Sequence, residues 1–213
     1  MKKTINVMLV DDHAVVRFGF RMLLESTDDI KVVAEADSAE AAYQQIPTAK
    51  PDVIVMDISL GGTMGVEATR RIVARDKTAK VLGLSSHEDP SYVRYMLKAG
   101  AQGYLSKRSA PDELMHAIRQ VAEGRMYIEA SLSQRMALEE FNGEKSPIEV
   151  LSAREFGAFI QLAKGLSVNQ IAELLTISPR TVGTHLYNVK QKLGAANQAE
   201  LTLIAVRHGL IET

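Results

Sequence analysis

A short apolar run that ends in a carboxylate reads Val53-Ile54-Val55-Met56-Asp57. An earlier run, Val7-Met8-Leu9-Val10, is followed in the same way by Asp11 and Asp12. Near-continuous apolar runs of this length are typical of parallel strands that are buried on both faces. If the two runs are neighbouring parallel strands, the three carboxylates meet at the carboxyl edge of one sheet. Open α/β sheets bind their ligands at that edge.

The first part of the chain alternates apolar runs with helical patterns. Candidate strands cover Ile5–Val10, Lys31–Glu35, Val53–Met56, Lys80–Leu84 and Gly103–Ser106. Candidate helices cover Ala14–Glu25, Ala39–Gln45, Val66–Arg75, Pro90–Ala99 and Pro111–Glu123, the last with Ser109 as its expected N-cap. Five such units predict a doubly wound, flavodoxin-like α/β domain with a five-stranded parallel sheet, over residues 1–124.

The rest of the chain has a different pattern. Turn-forming residues at 142–147 predict a linker over residues 125–147, within which Ser131–Phe141 has a helical pattern. Residues 148–213 show only helical patterns, with helix starts expected at Ser152, at Ser167 or Asn169, and at Ser178. We therefore expect a second, all-α domain.

The composition limits the possible classes of protein. With 46% apolar and 24% charged residues, the chain is expected to be globular rather than disordered. It has no cysteine, which excludes disulfides and thiolate metal sites. No apolar run approaches the length of a membrane span, so we expect a soluble, cytoplasmic protein. The net charge is −1, so any binding to nucleic acid would depend on a local surface.

Crowded carboxylates repel one another unless a divalent cation or a lysine relieves the charge. Such a site is suited to bind a divalent metal ion. One of its aspartates could then act as the nucleophile that accepts a phosphoryl group. Other strand ends supply complementary groups, since Ser85 and Lys107 follow apolar runs and Tyr104 lies three residues before Lys107. Taken singly, Asp12 suits a helix N-cap and Asp57 a turn. Lys107 alone would suit a solvated strand end, and Tyr104 simple core packing.

The helical pattern from Pro179 to Leu193 has an apolar stripe and a polar face that is free of acidic residues. That bias suits attraction to phosphates, although a polar surface helix can also be merely solvated. A tight connection before this helix favours a helix-turn-helix.

The acidic and hydroxyl motifs resemble a response-regulator receiver domain. The matching stretches are Leu9-Val10-Asp11-Asp12-His13, Val55-Met56-Asp57, Leu84-Ser85 and Gly103-Tyr104-Leu105-Ser106-Lys107. The resemblance implies that Asp57 accepts a phosphoryl group from a sensor histidine kinase. It also implies a Mg²⁺ ion held by Asp12, Asp57 and the Ser59 backbone carbonyl, with Asp11 acting through water. Ser85 and Tyr104 would form a switch pair, and Lys107 would contact the phosphoryl group.

Two neighbouring positions and one departure belong to the same resemblance. Ser59 and His87 lie where family members tune the rate of dephosphorylation. Gly61 stands where the family usually has a proline, so we expect a freer loop and altered kinetics.

The second domain resembles the LuxR-type DNA-binding domain through Leu151-Ser152-Ala153-Arg154-Glu155, residues 163–172, Ser178-Pro179-Arg180-Thr181-Val182 and Lys192-Leu193-Gly194. Residues at matching positions would contact DNA, and these are Arg180, Thr181, Gly183, Thr184, His185, Tyr187, Asn188, Lys190 and Gln191. Gly183 stands where a lysine is common in the family. A glycine inside a helix weakens it by up to ~1 kcal/mol. The base preference at that step is therefore open. The two domains together are similar to NarL/FixJ-type response regulators, and the tail at residues 200–209 is similar to the GacA/UvrY branch.

We therefore expect a phosphorylation-gated transcription factor that binds double-stranded DNA as a homodimer. It would not be an enzyme beyond its own phosphoryl transfer and slow autodephosphorylation. One alternative is a Mg²⁺-dependent phosphohydrolase, which would need a general acid where the poorly suited Ser59 lies. Another is a constitutive DNA-binding protein whose first domain only contacts other proteins.

Overall fold

The computed structural model describes residues 4–60, 65–142 and 147–211. Within these ranges six strands form one parallel sheet: β1 (Ile5–Val10), β2 (Ile30–Ala36), β3 (Val53–Asp57), β4 (Val81–Ser85), β5 (Gly103–Ser106) and β6 (Tyr127–Ile128). The order across the sheet is β2-β1-β3-β4-β5-β6. The neighbouring, parallel arrangement expected for the two acid-ending runs is confirmed, because Val7 to Val10 pair with Val53 to Met56. Both runs therefore end at the same edge.

Five helices connect the strands: α1 (Ala14–Leu24), α2 (Ala39–Ala49), α3 (Gly65–Arg75), α4 (Pro90–Lys98) and α5 (Pro111–Ala122). Strands β3, β4 and β5 are buried along their whole length, which explains why their sequences are apolar almost throughout. The core between sheet and helices includes Val55, Leu82 and Leu105, with Ile118 of α5 against them. The doubly wound α/β class is thus confirmed.

The sheet has one strand more than the five expected from the sequence. Residues Tyr127 and Ile128, assigned to the linker, pair in parallel with Gly103 and Tyr104 of β5. A two-residue strand is too short to show an alternating pattern, so sequence periodicity could not reveal it.

Two local expectations were wrong. Helix α2 continues past Pro47 to Ala49 rather than ending at Gln45. A proline this close to the C-terminus of a helix removes only one backbone hydrogen bond, so the last turn can still form. Ser109 does not cap α5, which begins after Ala110 without a side-chain cap, because the Ser109 hydroxyl donates to Glu129 instead.

The remaining described elements are helices: α6 (Ala130–Phe141), a 3-10 helix (Pro147–Val150), α7 (Ala153–Ala163), α8 (Val168–Leu174), α9 (Pro179–Leu193) and α10 (Gln198–Arg207). Capping boxes begin α7 at Ser152 and α8 at Ser167, and the Ser178 side chain caps α9. Gly194, in the left-handed region with φ 66°, ends α9.

The chain forms two compact units, one containing all six of these strands and the other containing α7 to α10. In the helical unit, α9 packs against α7 and α8, and it buries Val182, Leu186 and Val189 as the apolar stripe predicts. None of the helices in the described ranges is both long and apolar enough to cross a membrane.

Candidate functional site

The carboxylates that follow β1 and end β3 form a compact acidic pocket. Asp11 and Asp57 are buried, with Asp57 only 1% exposed, whereas Asp12 lies at the surface. One possible ligand atom from each of Asp11, Asp12, His13 and Asp57 lies within 4.8 Å of the others. His13 joins this group because its Nδ1 lies 2.9 Å from Asp12 Oδ1. The pocket can therefore hold a metal ion.

Lys107 brings a positive charge into this pocket from the end of β5. Its Nζ donates to Asp11 Oδ2 at 2.7 Å and lies 2.9 Å from Asp57 Oδ2. Its backbone amide donates to the Ser85 carbonyl at 2.7 Å, which fixes the chain where β5 ends. Burial alone would lower the pKa of Lys107, but attraction to Asp57 and Asp11 outweighs it and the pKa is raised. The side chain is therefore a fixed cation beside the two carboxylates.

Asp57 has an environment that makes its ionised form costly. Burial raises the pKa of Asp57, and the opposing effect of Lys107 only partly offsets this rise. Its Oδ1 accepts a hydrogen bond from the Ser59 amide at 3.0 Å. Its buried Oδ2 is paired with the Lys107 ammonium at 2.9 Å. Since the pocket holds three carboxylates and one lysine, which pairs with Asp11 and Asp57, a hard divalent cation suits the negative charge that is left over.

Gly65 explains how the start of α3 comes so close to Asp57. A Cβ atom added at Gly65 would collide with the Asp57 carbonyl oxygen, so only glycine fits there without a shift of the backbone. The Gly65 amide donates to the Ile58 carbonyl at 3.0 Å, which ties the helix to the residue after Asp57. The departure at Gly61 lies outside the described residues.

Ser85 and Tyr104 are both buried, and both contact the backbone of His87. The His87 amide donates to Ser85 Oγ at 3.0 Å, and the Tyr104 hydroxyl donates to the His87 carbonyl at 2.6 Å. The residue between them thus links the two side chains. A displacement of the Ser85 hydroxyl would therefore shift the His87 backbone, to which the Tyr104 hydroxyl is hydrogen-bonded.

Helix α9 presents the polar face expected from its sequence. Arg180, Gly183, Thr184, Tyr187 and Gln191 are exposed. The other predicted DNA contacts, which are Thr181, His185, Asn188 and Lys190, are half-buried at the edges of that face. The five exposed positions thus share the outer side of a capped helix, while His185 lies on a flank with its Nε2 atom buried. This is the placement that insertion into a major groove requires.

A partly exposed ion pair joins α9 to α7, since Glu155 is buried and Lys192 is not. Lys192 Nζ donates to Glu155 Oε2 at 2.6 Å, and the same oxygen accepts from the Ser152 amide at 2.7 Å. The carboxylate thus completes the capping box of α7 and anchors the last turn of α9.

Comparison with known families assigns both units. Residues 7–119 match the response regulator receiver domain, and residues 149–205 match the bacterial regulatory proteins of the luxR family. The chain is a LuxR-family response regulator.

Similar proteins match this response regulator over nearly its whole length. It is 43% identical to the response regulator UvrY of Escherichia coli K12 over 97% of the chain and 95% of that protein. It is 36% identical to the response regulator GacA of Pseudomonas viridiflava over 98% of each. The Salmonella typhimurium response regulator RcsB superposes with a TM-score of 0.79 at 25% identity, covering 97% of this chain and 99% of RcsB. RcsB bound to the promoter P1flhDC with the phosphomimetic BeF3− gives 0.74 at 25% identity, covering 95% and 98%.

The predicted family and fold class of the response regulator are therefore confirmed, while the roles of individual site residues stay predictions. Its structure brings Asp11, Asp12, Asp57 and Lys107 together, and links Ser85 with Tyr104 through one residue. The Ser59 amide faces Asp57 Oδ1, which places this residue beside the pocket, while the role of its carbonyl stays a prediction.

Sequence reasoning missed two residues of the response regulator that support the pocket. Arg17 donates from Nη1 to the Asp11 carbonyl at 2.6 Å and from Nε to Glu35 Oε2 at 3.0 Å. Its signal was a cation among the apolar residues of α1, which contains one more arginine, Arg21. Glu129, which follows β6, accepts hydrogen bonds from Ser106 and Ser109 on either side of Lys107, and no motif marks it.

Proposed function

We propose that Asp57 accepts a phosphoryl group from a sensor histidine kinase, and that this transfer controls dimerisation and sequence-specific DNA binding. The observation that carries the proposal is the placement of Lys107 Nζ 2.9 Å from the buried Asp57 Oδ2. A buried aspartate beside a fixed cation is suited to accept a group that brings further negative charge. The transcriptional output would come from the LuxR-type domain.

A Mg²⁺ ion would be held by Asp12, Asp57 and the Ser59 backbone carbonyl, with Asp11 contributing through a water molecule. The donor set supports this ion because carboxylate and carbonyl oxygens are the ligands that Mg²⁺ prefers. Bound there, the ion would neutralise charge on the phosphoryl oxygens. The excess of carboxylates over lysine in the pocket supports the same assignment.

In the transfer step, an Asp57 carboxylate oxygen forms a bond to phosphorus while the bond from phosphorus to the kinase imidazole breaks. Lys107 would contact the transferred oxygens as a point charge, moving from its ion pair with Asp57. The Ser85 hydroxyl would donate to a phosphoryl oxygen. Tyr104 would follow, because His87 connects it to Ser85.

The output surface would be the polar face of α9. Gly183, Thr184 and Tyr187 would face bases, while Thr181, His185 and Lys190 would lie nearer the phosphates, and Arg180, Asn188 and Gln191 share their face. A homodimer would place two such helices on half-sites about one helical turn apart. RcsB, which is similar over 95% of this chain, has been solved on promoter DNA with a phosphomimetic.

The division of labour would follow the predicted boundaries, with the phosphoacceptor at residues 1–124, the linker at 125–147 and the DNA-binding domain at 148–213. The protein would act in the cytoplasm, where kinase and chromosome are both accessible.

The decisive experiment is incubation of the full chain with acetyl phosphate and Mg²⁺, followed by measurement of its intact mass. We expect wild type to gain one phosphoryl group and Asp57→Asn to gain none. The matched control is Asp37→Asn, since Asp37 follows β2 at the same edge of the sheet but is exposed. Uptake by Asp57→Asn equal to that of wild type contradicts the proposal, as does rapid multiple turnover of a small phosphate ester.

Bound genomic DNA, mapped with wild type and Asp57→Asn, tests the second half of the proposal. We expect occupancy at specific sites to fall in the variant. Identical maps would instead support constitutive DNA binding.

A further inference from the structure

Glu129 lies in the segment predicted as a linker, beyond residue 119, where the match to the receiver family ends. In the structure it belongs to the compact unit that contains the sheet. It follows β6 directly, and its amide donates to the Tyr104 carbonyl at 3.2 Å. This bond extends the pairing of β6 with β5 by one more residue. The linker backbone therefore places the Glu129 side chain beside the end of β5.

The end of β5 turns sharply, and Lys107 lies inside the turn. The Ser109 amide donates to the Ser106 carbonyl at 3.1 Å, which closes a four-residue turn with Lys107 and Arg108 at its centre. The shape of this turn therefore determines where the Lys107 ammonium lies relative to Asp57.

Glu129 binds both ends of that turn with a single oxygen. Its Oε2 accepts from the Ser106 amide at 3.0 Å and from the Ser109 hydroxyl at 2.8 Å, while Oε1 accepts from the Ser131 hydroxyl at 2.7 Å. Burial alone would raise the pKa of Glu129, but these three donors and the nearby Arg108 lower it. The group is thus an ionised carboxylate, whose hydrogen bonds are stronger than those of a neutral acceptor.

We propose that Glu129 is a positioning residue for phosphoryl transfer, and that it holds the turn at Ser106 and Ser109 so that Lys107 faces Asp57. The inference rests on the proposed function of Asp57. Glu129 does not enter the pocket and acts only through the turn. The segment that follows the match to the receiver family therefore also supports the phosphoacceptor site.

The test compares initial rates of phosphoryl uptake from labelled acetyl phosphate, with the full chain and saturating Mg²⁺. Glu129→Gln keeps the shape of the side chain but loses its charge, and we expect a rate about five- to tenfold lower. Ser109→Ala keeps the carboxylate but removes one of its two bonds to the turn, so we expect a drop of about two- to fivefold. Glu140→Gln is the control, because it makes the same charge change at an exposed position of α6.

A second measurement shows whether Glu129 acts through Lys107. In a Lys107→Ala chain, Glu129→Gln should cause no further slowing, because the group that it positions is gone. An equal slowing in both backgrounds would overturn the inference, since Glu129 would then act by general destabilisation.

The remaining outcomes are also decisive. Rates of Glu129→Gln and Glu140→Gln that agree within about twofold overturn the inference and leave the role of Asp57 intact. If circular dichroism shows that Glu129→Gln is unfolded, Ser109→Ala decides, and a wild-type rate there overturns the inference. Phosphoryl uptake that persists in Asp57→Asn would instead contradict the proposed function itself.

Discussion

The Glu155 carboxylate stabilises two helices of the helical unit at once. It is 5% exposed, yet it completes the capping box of α7 and binds Lys192 of α9. Burial alone would raise the pKa of Glu155, but the donors from Lys192 and Ser152 lower it. The orientation of the proposed DNA-binding helix thus depends partly on an ionised group of another helix.

The pKa of Glu155 predicts a pH-dependent contribution to stability. Because the pKa is lower in the folded than in the unfolded state, the stabilisation is present above the ordinary glutamate value. It is lost as pH falls through the folded pKa. We expect Glu155→Gln to lower the free energy of unfolding by about 1 kcal/mol at neutral pH, a modest value because Lys192 is 39% exposed. Urea unfolding between neutral pH and about pH 3 measures this.

The control for this pair is Glu173→Gln, an exposed glutamate of α8. The difference between wild type and Glu155→Gln should shrink as the solution becomes acidic. A difference that stays constant over that range would show that the charge of Glu155 is not the cause.

Gly65, the first residue of α3, packs against Asp57 so closely that there is no room for a side chain. Since a Cβ at Gly65 would meet the Asp57 carbonyl oxygen, we expect Gly65→Ala to lower the free energy of unfolding by about 1–3 kcal/mol. Gly19→Ala in α1 is the matched control, because a Cβ there meets no described atom within 4 Å. It should stabilise the protein by up to ~1 kcal/mol. Thermal unfolding of both variants is the measurement, and an increase in both melting temperatures would contradict the packing argument.

Helix α9 allows helix stability to be separated from attraction to DNA. A Cβ at Gly183 meets no described atom within 4 Å, so Gly183→Ala should stabilise the helix by up to ~1 kcal/mol. Gly183→Lys should in addition steepen the dependence of log affinity on log salt by about one. Fluorescence anisotropy with a labelled duplex over a salt series measures both slopes. Equal slopes for the alanine and lysine variants would place this position away from the phosphates.

Elements could be predicted from sequence where their own residues explain why they form. Val53 to Met56 are apolar because β3 is buried on both faces, so their pattern alone predicts a central strand. Tyr127 and Ile128 form β6 only because the edge of β5 is available, and this cause lies outside their own sequence. The bond from Ser109 to Glu129 spans 20 residues and follows from the same pairing, so a local reading assigned Ser109 to a cap.

The candidate site divides in a similar way. Carboxylates at the ends of Val7–Val10 and Val53–Met56 had to meet once the two strands were parallel neighbours, so the acidic pocket was predictable. Sequence could not show that Lys107 lies between Asp11 and Asp57, because a strand-end lysine has many accessible rotamers. The folded pocket selects the Lys107 rotamer, because attraction to two buried carboxylates outweighs the cost of burying the ammonium group.

At the scale of the whole molecule, the proposed switch needs a large difference in free energy. A change from mostly inactive to mostly active requires about 5.5 kcal/mol of differential stabilisation. A phosphoryl group on Asp57 would have to supply it through Lys107, Ser85 and contacts between two copies of the chain.

The corresponding prediction concerns the oligomeric state. Acetyl phosphate with Mg²⁺ should convert the wild-type protein to a dimer, whereas Asp57→Asn should keep its starting mass under the same conditions. Size-exclusion chromatography with light scattering measures this. A wild-type mass that does not change on phosphorylation would show that any control of DNA binding does not act through dimerisation.

The short strand β6 also bears on the solubility of the molecule. A sheet with an open edge exposes unpaired amide and carbonyl groups, on which another chain can add a strand and begin to aggregate. Strand β5 would be such an edge, but Tyr127 and Ile128 cover it, and a strand of only two residues is a poor template for further growth. Detaching β6 would therefore expose a surface on which fibrous or amorphous aggregates nucleate.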